Sequence, residues 1–200
     1  MAIHAALGFR AHSGWAALVA IAGPSRSPAV VERGRIELVD LRDPHAKQPY
    51  HAAAELELKE AEKLIRQYTG KTKLLARQSL RKVIAELRKK GYEVSGCGVL
   101  QGSGRALPAL AKILASHPLL HTAEGILFRD VLTQASEHYK IPVTAVRERE
   151  LFLQSTAELG ISADELQRHL AEIGKPLGPP WGQDEKYSAL VAWLALAGTA

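Results

Sequence analysis

The order in which two hydrophobic periodicities follow one another constrains the fold of this chain more than any single residue does. Residues 3 to 10 (Ile-His-Ala-Ala-Leu-Gly-Phe-Arg), 15 to 22 (Trp-Ala-Ala-Leu-Val-Ala-Ile-Ala) and 29 to 39 are short segments separated by Gly, Ser and Pro clusters, which predicts three strands with tight connections. The third alternates: Val31, Arg33, Arg35, Glu37 and Val39 share one side, and Val30, Glu32, Gly34, Ile36 and Leu38 the other. One face is largely polar, so this strand belongs at the outside of a sheet. After Pro44 and Pro49 the spacing turns helical, with Leu56, Leu64, Ile65, Leu74, Leu75, Leu80, Val83, Ile84 and Leu87, and predicts two helices, or one broken near Gly70, running to Lys90. Residues 94 to 100 are apolar and small and form a fourth, central strand. A helix is expected over 106 to 116. Pro118 ends it and opens the next, which runs to residue 140 with Leu127, Phe128, Val131, Leu132 and Ala135 on its apolar arc. Residues 142 to 147 form a fifth strand. Helices over 149 to 159 and 163 to 173 follow, the second entered through Ser162 with Glu165 at capping-box spacing. The last helix, 184 to 197, is apolar almost all round and must be buried or covered by a partner.

With 200 residues, 46% hydrophobic and 24% charged, and no Ser/Gly/Pro-rich or single-charge stretch between two patterned halves, the chain reads as one globular domain over residues 1 to 200. That composition excludes disorder and collagen, and the single Cys97 excludes a disulfide scaffold. Its neighbours Ser95, Gly96, Gly98 and Val99 place Cys97 on a strand as a buried, inert thiol. The longest apolar runs, 15 to 22 and 190 to 197, fall well short of the roughly 20 residues that cross a bilayer. A polar stretch with Arg10, His12, Ser13 and Gly14 precedes the first run, against a secretory signal, so the expected location is the cytoplasm.

The net charge of +5 is unevenly placed. Residues 71 to 90 hold Lys71, Lys73, Arg77, Arg81, Lys82, Arg88, Lys89 and Lys90 against Glu86 alone, whereas residues 151 to 200 carry a net acidic set. Such a stretch is either the solvated face of a helix or a surface that neutralises phosphates. Lys71, Lys73, Arg77 and Arg81 are its candidate nucleic-acid contacts.

Three strands, helix, strand, helices, strand, helices is an order that resembles the ribonuclease-H-like fold, and most closely the Holliday-junction resolvase type. Two local likenesses accompany it: Leu7-Gly-Phe-Arg-Ala-His-Ser-Gly-Trp-Ala16 is similar to the first hairpin, and Asp184-Glu-Lys-Tyr-Ser-Ala-Leu-Val-Ala192 to the final acidic helix. The resemblance implies an α/β fold with a five-stranded mixed sheet, three antiparallel strands then two parallel ones, flanked by helices. It also implies two divalent cations, Mg²⁺ or Mn²⁺, held by carboxylates from the first strand, the fourth strand or a nearby helix, and the last helix, for phosphodiester hydrolysis. This sequence departs from that pattern. No Asp or Glu occurs from residue 1 to 31 or from 94 to 123. Arg10 and His12 stand near the first-strand ligand, Gln101 ends the fourth strand, and Ser188 stands where another acid is often found. Arg10 cannot replace a carboxylate, because a guanidinium repels a cation.

Other constellations remain. Glu124 falls in the apolar arc with His121 three residues before it, so it is either a metal ligand or general base, or a carboxylate paired with His121 or an Arg. Asp184 and Glu185 open a helix, where they cap amides or, should Asp184 converge with Glu124, share one cation. Gln101-Gly-Ser-Gly-Arg105 lies between a strand and a helix and is either a turn or a phosphate cradle, with Gln101, Ser103 and Arg105 joined by Arg10 and His12 as an anion site. Ser13, His12 and Asp40 form no recognisable nucleophilic arrangement. Trp181 is expected to pin the last helix. His4, His45, His51, His138 and His169 are scattered and receive no metal. Three functions follow: a nucleic-acid- or phosphate-binding protein with a degenerate or rebuilt two-metal site; an active Mg²⁺/Mn²⁺ nuclease using Glu124, Asp184 and Glu185 with His121; or a scaffold that docks a partner, or a second copy as a homodimer, through its last helix.

Overall fold

The computed structural model describes residues 3 to 104 and 106 to 198. Among these residues, strands β1 (Ile3–His12), β2 (Trp15–Ala22), β3 (Ala29–Glu37), β4 (Tyr92–Gln101) and β5 (Val143–Arg147) form one sheet of order β3-β2-β1-β4-β5. The first three pair antiparallel; β4 runs parallel to β1, and β5 parallel to β4. This is the mixed sheet that the element order implies, with the half-polar β3 at its edge. Seven α-helices accompany it among the described residues: α1 (Pro49–Ala53), α2 (Leu58–Lys89), α3 (Leu110–Leu114), α4 (His117–His138), α5 (Leu151–Leu159), α6 (Ala163–Gly174) and α7 (Gln183–Ala197).

Strand alternation sorts the core onto both faces. Leu7, Phe9, Leu18, Ala20, Cys97 and Val99 pack with Leu80 of α2 and Phe128 and Leu132 of α4. Val19, Ile21 and Leu100 face the other way, onto α7, with Leu151 of α5 and Leu166 and Leu170 of α6 in the same cluster. Cys97 is fully buried, and burial pushes its thiol pKa up to about 12, which matches an inert core residue.

α7 lies very close to the sheet. A Cβ on Gly8 would stand 1.8 Å from the Ser188 carbonyl oxygen, and one on Gly98 2.2 Å from that of Val191, so the paired glycines of β1 and β4 are what admit the helix backbone. Residues 188 to 196 are all buried, and Trp193 donates its indole N–H to the Ser25 carbonyl at 2.6 Å. Of the two expectations for the last helix, burial or cover by a partner, burial holds: its apolar surface is covered by β1, β2 and β4 and by α5 of the same chain, which leaves little of it for docking a partner or a second copy.

Two other elements depart from expectation. α2 is continuous through Gly70, which is exposed, because Ala61, Ile65, Tyr68, Thr72, Ala76 and Leu80 hold one face in the core; that packing outweighs a glycine penalty of about 1 kcal/mol. The helix expected over 106 to 116 shrinks to α3, since Pro108 disfavours helical geometry at Leu107 and Ala109 is extended, leaving residues 106 to 109 outside any helix. Trp181 donates to the Leu170 carbonyl at 2.7 Å, lies against Gly174 and packs on the cluster that contains α7, so it secures the end of α6 and the approach to α7. Arg33 braces the same turn by donating to the Leu177, Gly178 and Pro180 carbonyls.

Candidate functional site

The carboxyl ends of β1, β4 and β5 meet the start of α7 at one end of the sheet, the region where open α/β sheets build ligand crevices. β1 delivers Arg10 and His12, β4 ends on Gln101, β5 continues into Glu148, and α7 opens with Asp184. Arg10 donates Nε and Nη2 to the two Glu148 carboxylate oxygens at 3.1 and 2.7 Å and Nη1 to Asp184 Oδ1 at 2.5 Å. His12 Nε2 lies 2.9 Å from the same Asp184 oxygen, and its ring stacks on Trp15 with centroids 4.2 Å apart. The Arg10 guanidinium also sits 5.3 Å from the Tyr187 ring centroid.

The electrostatics follow from those contacts. Arg10 is raised above its ordinary pKa, first by its hydrogen bonds to Glu148, which outweigh the opposing effect of burial, and then by Asp184. For Asp184, burial works upward, and the hydrogen bonds from Arg10 and then His12 outweigh it, so its carboxyl lies below the ordinary range. Two carboxylates thus face one guanidinium and one imidazole. A pair of divalent cations does not fit this donor set, because Asp184 and Glu148 are already engaged by the chain's own cationic groups and Gln101 is neutral.

The remaining acidic candidates lie elsewhere. Glu185 accepts the Gly182 N–H at 2.8 Å and so caps α7, and Ser188 is buried and donates to the Ala17 carbonyl at 3.3 Å. Glu124, 1% exposed, belongs to α4 on the opposite face of the sheet from α7, so it does not meet Asp184. Its partner is His51, not His121 or an arginine: the His51 backbone N–H and Nδ1 approach Glu124 Oε1 at 3.3 and 2.9 Å. The His51 ring in turn lies beside His117 and His121, which corrects its treatment as one of a scattered set.

A cavity of about 570 Å³ opens between the loop after β4 and α4, lined by Gln101, Ser103, His121, Arg129 and Asp130 among others. Its floor cation was not foreseen. Arg129 is half-buried, and among the described residues it makes no hydrogen bond or ion pair; burial lowers its pKa despite attraction from Glu148 and Asp130. Glycines make room for it: a Cβ on Gly102 would stand 3.1 Å from Nη1 and one on Gly125 2.9 Å. The sequence offered a weak signal for this, Gly125 four residues before Arg129 on one helical face. Of the expected anion set, Gln101 and Ser103 line the cavity, Arg10 and His12 are consumed by carboxylates, and Arg105 lies outside the described residues. No helix starts at this loop to aim amides at a phosphate.

On α2, Lys73, Arg77 and Arg81 recur every fourth residue and so share a face. They make no ion pair among the described residues, whereas Lys71 lies 4.0 Å from Asp43 and Lys89 and Lys90 pair with Glu86 and Glu32. Lys73 lies within electrostatic reach of Asp130 at the cavity wall, which ties this stripe to the cavity.

No protein-family model matches the chain, and no curated protein matches it. Among solved structures it is similar to Thermus thermophilus RuvC, with a TM-score of 0.53 and 13% identity over 98% of both chains. It is likewise similar to T. thermophilus RuvC in complex with a Holliday junction substrate, with a TM-score of 0.53 and 10% identity over 95% of this chain and 90% of that one. No helix is long and apolar enough to cross a membrane among the described residues. At these identities the likeness speaks to architecture alone: this chain has the ribonuclease-H-like fold.

Proposed function

We propose that this protein binds nucleic acid, gripping backbone phosphate in the cavity beyond β4, with the place of a two-metal centre taken by its own Arg10 and His12. The observation that carries the reading is Arg129, a half-buried guanidinium with no acidic partner within ion-pair distance, held between Gly102 and Gly125 in a cavity also lined by Gln101 and Ser103. Guanidinium and phosphate match in charge and in fork geometry. The Lys73, Arg77 and Arg81 stripe extends the positive surface along α2 and supplies the sequence-independent part of the grip. The fold is shared with a resolvase solved on a four-way junction, which makes branched DNA the first ligand to test.

Binding of labelled four-way, duplex and single-stranded DNA, and of RNA, is measured by anisotropy across a salt series. Affinity is expected to fall steeply with salt. Arg129→Ala is expected to weaken binding about tenfold or more, the worth of a charge-assisted hydrogen bond, while Lys73→Ala and Arg77→Ala each lower the salt slope by about one. No salt-dependent binding to any of these ligands overturns the reading. Cleavage in Mg²⁺ or Mn²⁺ that is lost on Asp184→Asn turns it toward the nuclease.

A further inference from the structure

The second polar cluster, at the N-terminal end of α4, stands apart from the Arg10/Asp184 cluster at the strand ends and adjoins the Arg129 cavity only through His121. His117 and His121 are four residues apart at the start of α4, so one face of the helix carries both, and α1 brings His51 against them. The His51 ring centroid lies 5.2 Å from His117 and 4.6 Å from His121, and the last two are 4.6 Å apart. One ring nitrogen from each falls within 4.8 Å of the others.

What turns this proximity into a site is the state of two buried atoms. Glu124 Oε1 accepts the His51 backbone N–H at 3.3 Å and lies 2.9 Å from His51 Nδ1; a ring proton on Nδ1 completes that contact and leaves the lone pair of a neutral imidazole on Nε2. That His51 Nε2 is buried with no hydrogen-bond partner among the described residues, and so is Glu124 Oε2. Leaving such atoms unpaired carries a desolvation cost. A carboxylate that orients an imidazole through one nitrogen, while the other nitrogen of that ring is left without a partner and the ring lies against two further imidazoles, is the arrangement that supports a metal-bound histidine.

We propose that His51, His117 and His121 bind one divalent transition cation of the Zn²⁺ type, with Glu124 as the positioning residue behind His51. Three imidazole nitrogens suit a borderline ion rather than Mg²⁺ or Ca²⁺, which take oxygen ligands. Zn–N bonds of about 2.0 Å require the three nitrogens to close up from their present spacing. His117 and His121 are exposed and free to swing, while His51 is fixed by Glu124. The positive end of α4 opposes a cation here, and the buried Glu124 carboxylate supplies the compensating charge. Three protein ligands leave a fourth position for water or substrate, and His121 also lines the cavity that holds Arg129, so the ion stands at the rim of that cavity.

The test titrates the tag-free, chelator-stripped full chain with Zn²⁺ against a chromophoric competitor, and with Co²⁺ read by its visible spectrum. One equivalent is expected to bind, with the intense visible bands of four-coordinate Co²⁺. Glu124→Gln is expected to cost 10- to 100-fold in affinity, and His51→Asn and His121→Asn more. His121 is exposed, so that variant keeps its fold, which circular dichroism without metal checks. Binding that is unchanged in His51→Asn assigns the metal to the exposed His117/His121 pair and overturns the proposal. A Co²⁺ spectrum that stays that of the hydrated ion, or no saturable Zn²⁺ binding, overturns it as well.

Discussion

The two polar clusters of this molecule are built from the same materials and end in opposite states. At the strand ends, Asp184 and Glu148 face Arg10 and His12, and the carboxylates and cationic groups pair off with one another. Beside α1, Glu124 holds His51, whose ring lies against His117 and His121, yet one Glu124 oxygen and His51 Nε2 remain buried and unpaired among the described residues. The first cluster sits where the fold resemblance implies cations and is closed by the chain's own positive groups. The second sits where the resemblance implies nothing and is open. A cation site is thus marked less by which residues gather than by whether their polar atoms are already satisfied inside the chain.

The largest effect should come from breaking what assembles the closed cluster. Asp184 reaches Arg10 because α7 lies against Gly8 and Gly98, so Gly98→Ala forces a methyl toward the Val191 carbonyl and should cost roughly 3 kcal/mol or more in urea unfolding. Stability near that of the unaltered chain would mean that α7 does not depend on this approach. Next comes Arg10→Met, which leaves two part-buried carboxylates without their main donor and should cost about 1 to 3 kcal/mol. His121→Asn, measured with a chelator present, is the contrast: an exposed ring with no hydrogen bond among the described residues should change stability by less than about 0.5 kcal/mol. If His121→Asn proved as damaging as Arg10→Met, the open cluster would be a structural one and the comparison would fail.

The sheet and both of its packed faces were legible because alternation and element order are local properties of the sequence. Gly70 and residues 106 to 109 were misread for different reasons: the continuity of α2 depends on the packing of Ile65, Tyr68 and Ala76, a tertiary effect, whereas the late start of α3 follows from Pro108, a local signal given too little weight. The candidate site was legible by absence, in the missing acids of residues 1 to 31 and 94 to 123. Its partners were not. Glu148 lies 138 residues from Arg10, and His51 73 residues from Glu124, so no spacing rule joins them. The His117/His121 pair did carry a local signal, four-residue spacing on one helix, which becomes informative only once α1 supplies the third ring.

One further small effect is the most diagnostic of charge. Asp184 titrates below its ordinary value of 3.8 because the hydrogen bonds from Arg10 and His12 exceed the opposing effect of burial. A carboxyl depressed in the folded state stabilises that state above its unfolded pKa, and the contribution is lost as pH falls through the folded value. The unaltered chain should therefore exceed Asp184→Asn in stability near neutral pH, and the difference should close as pH falls below the ordinary carboxylate range. Partial exposure screens the pair, and Glu148 keeps Arg10 occupied in the variant, so the gap at neutral pH should not exceed about 1 kcal/mol. Thermal melts of both proteins across that range decide the matter: a gap that persists unchanged into acid would show that Asp184 acts through the shape of its hydrogen bonds at the start of α7, and that the closed cluster is not held by charge.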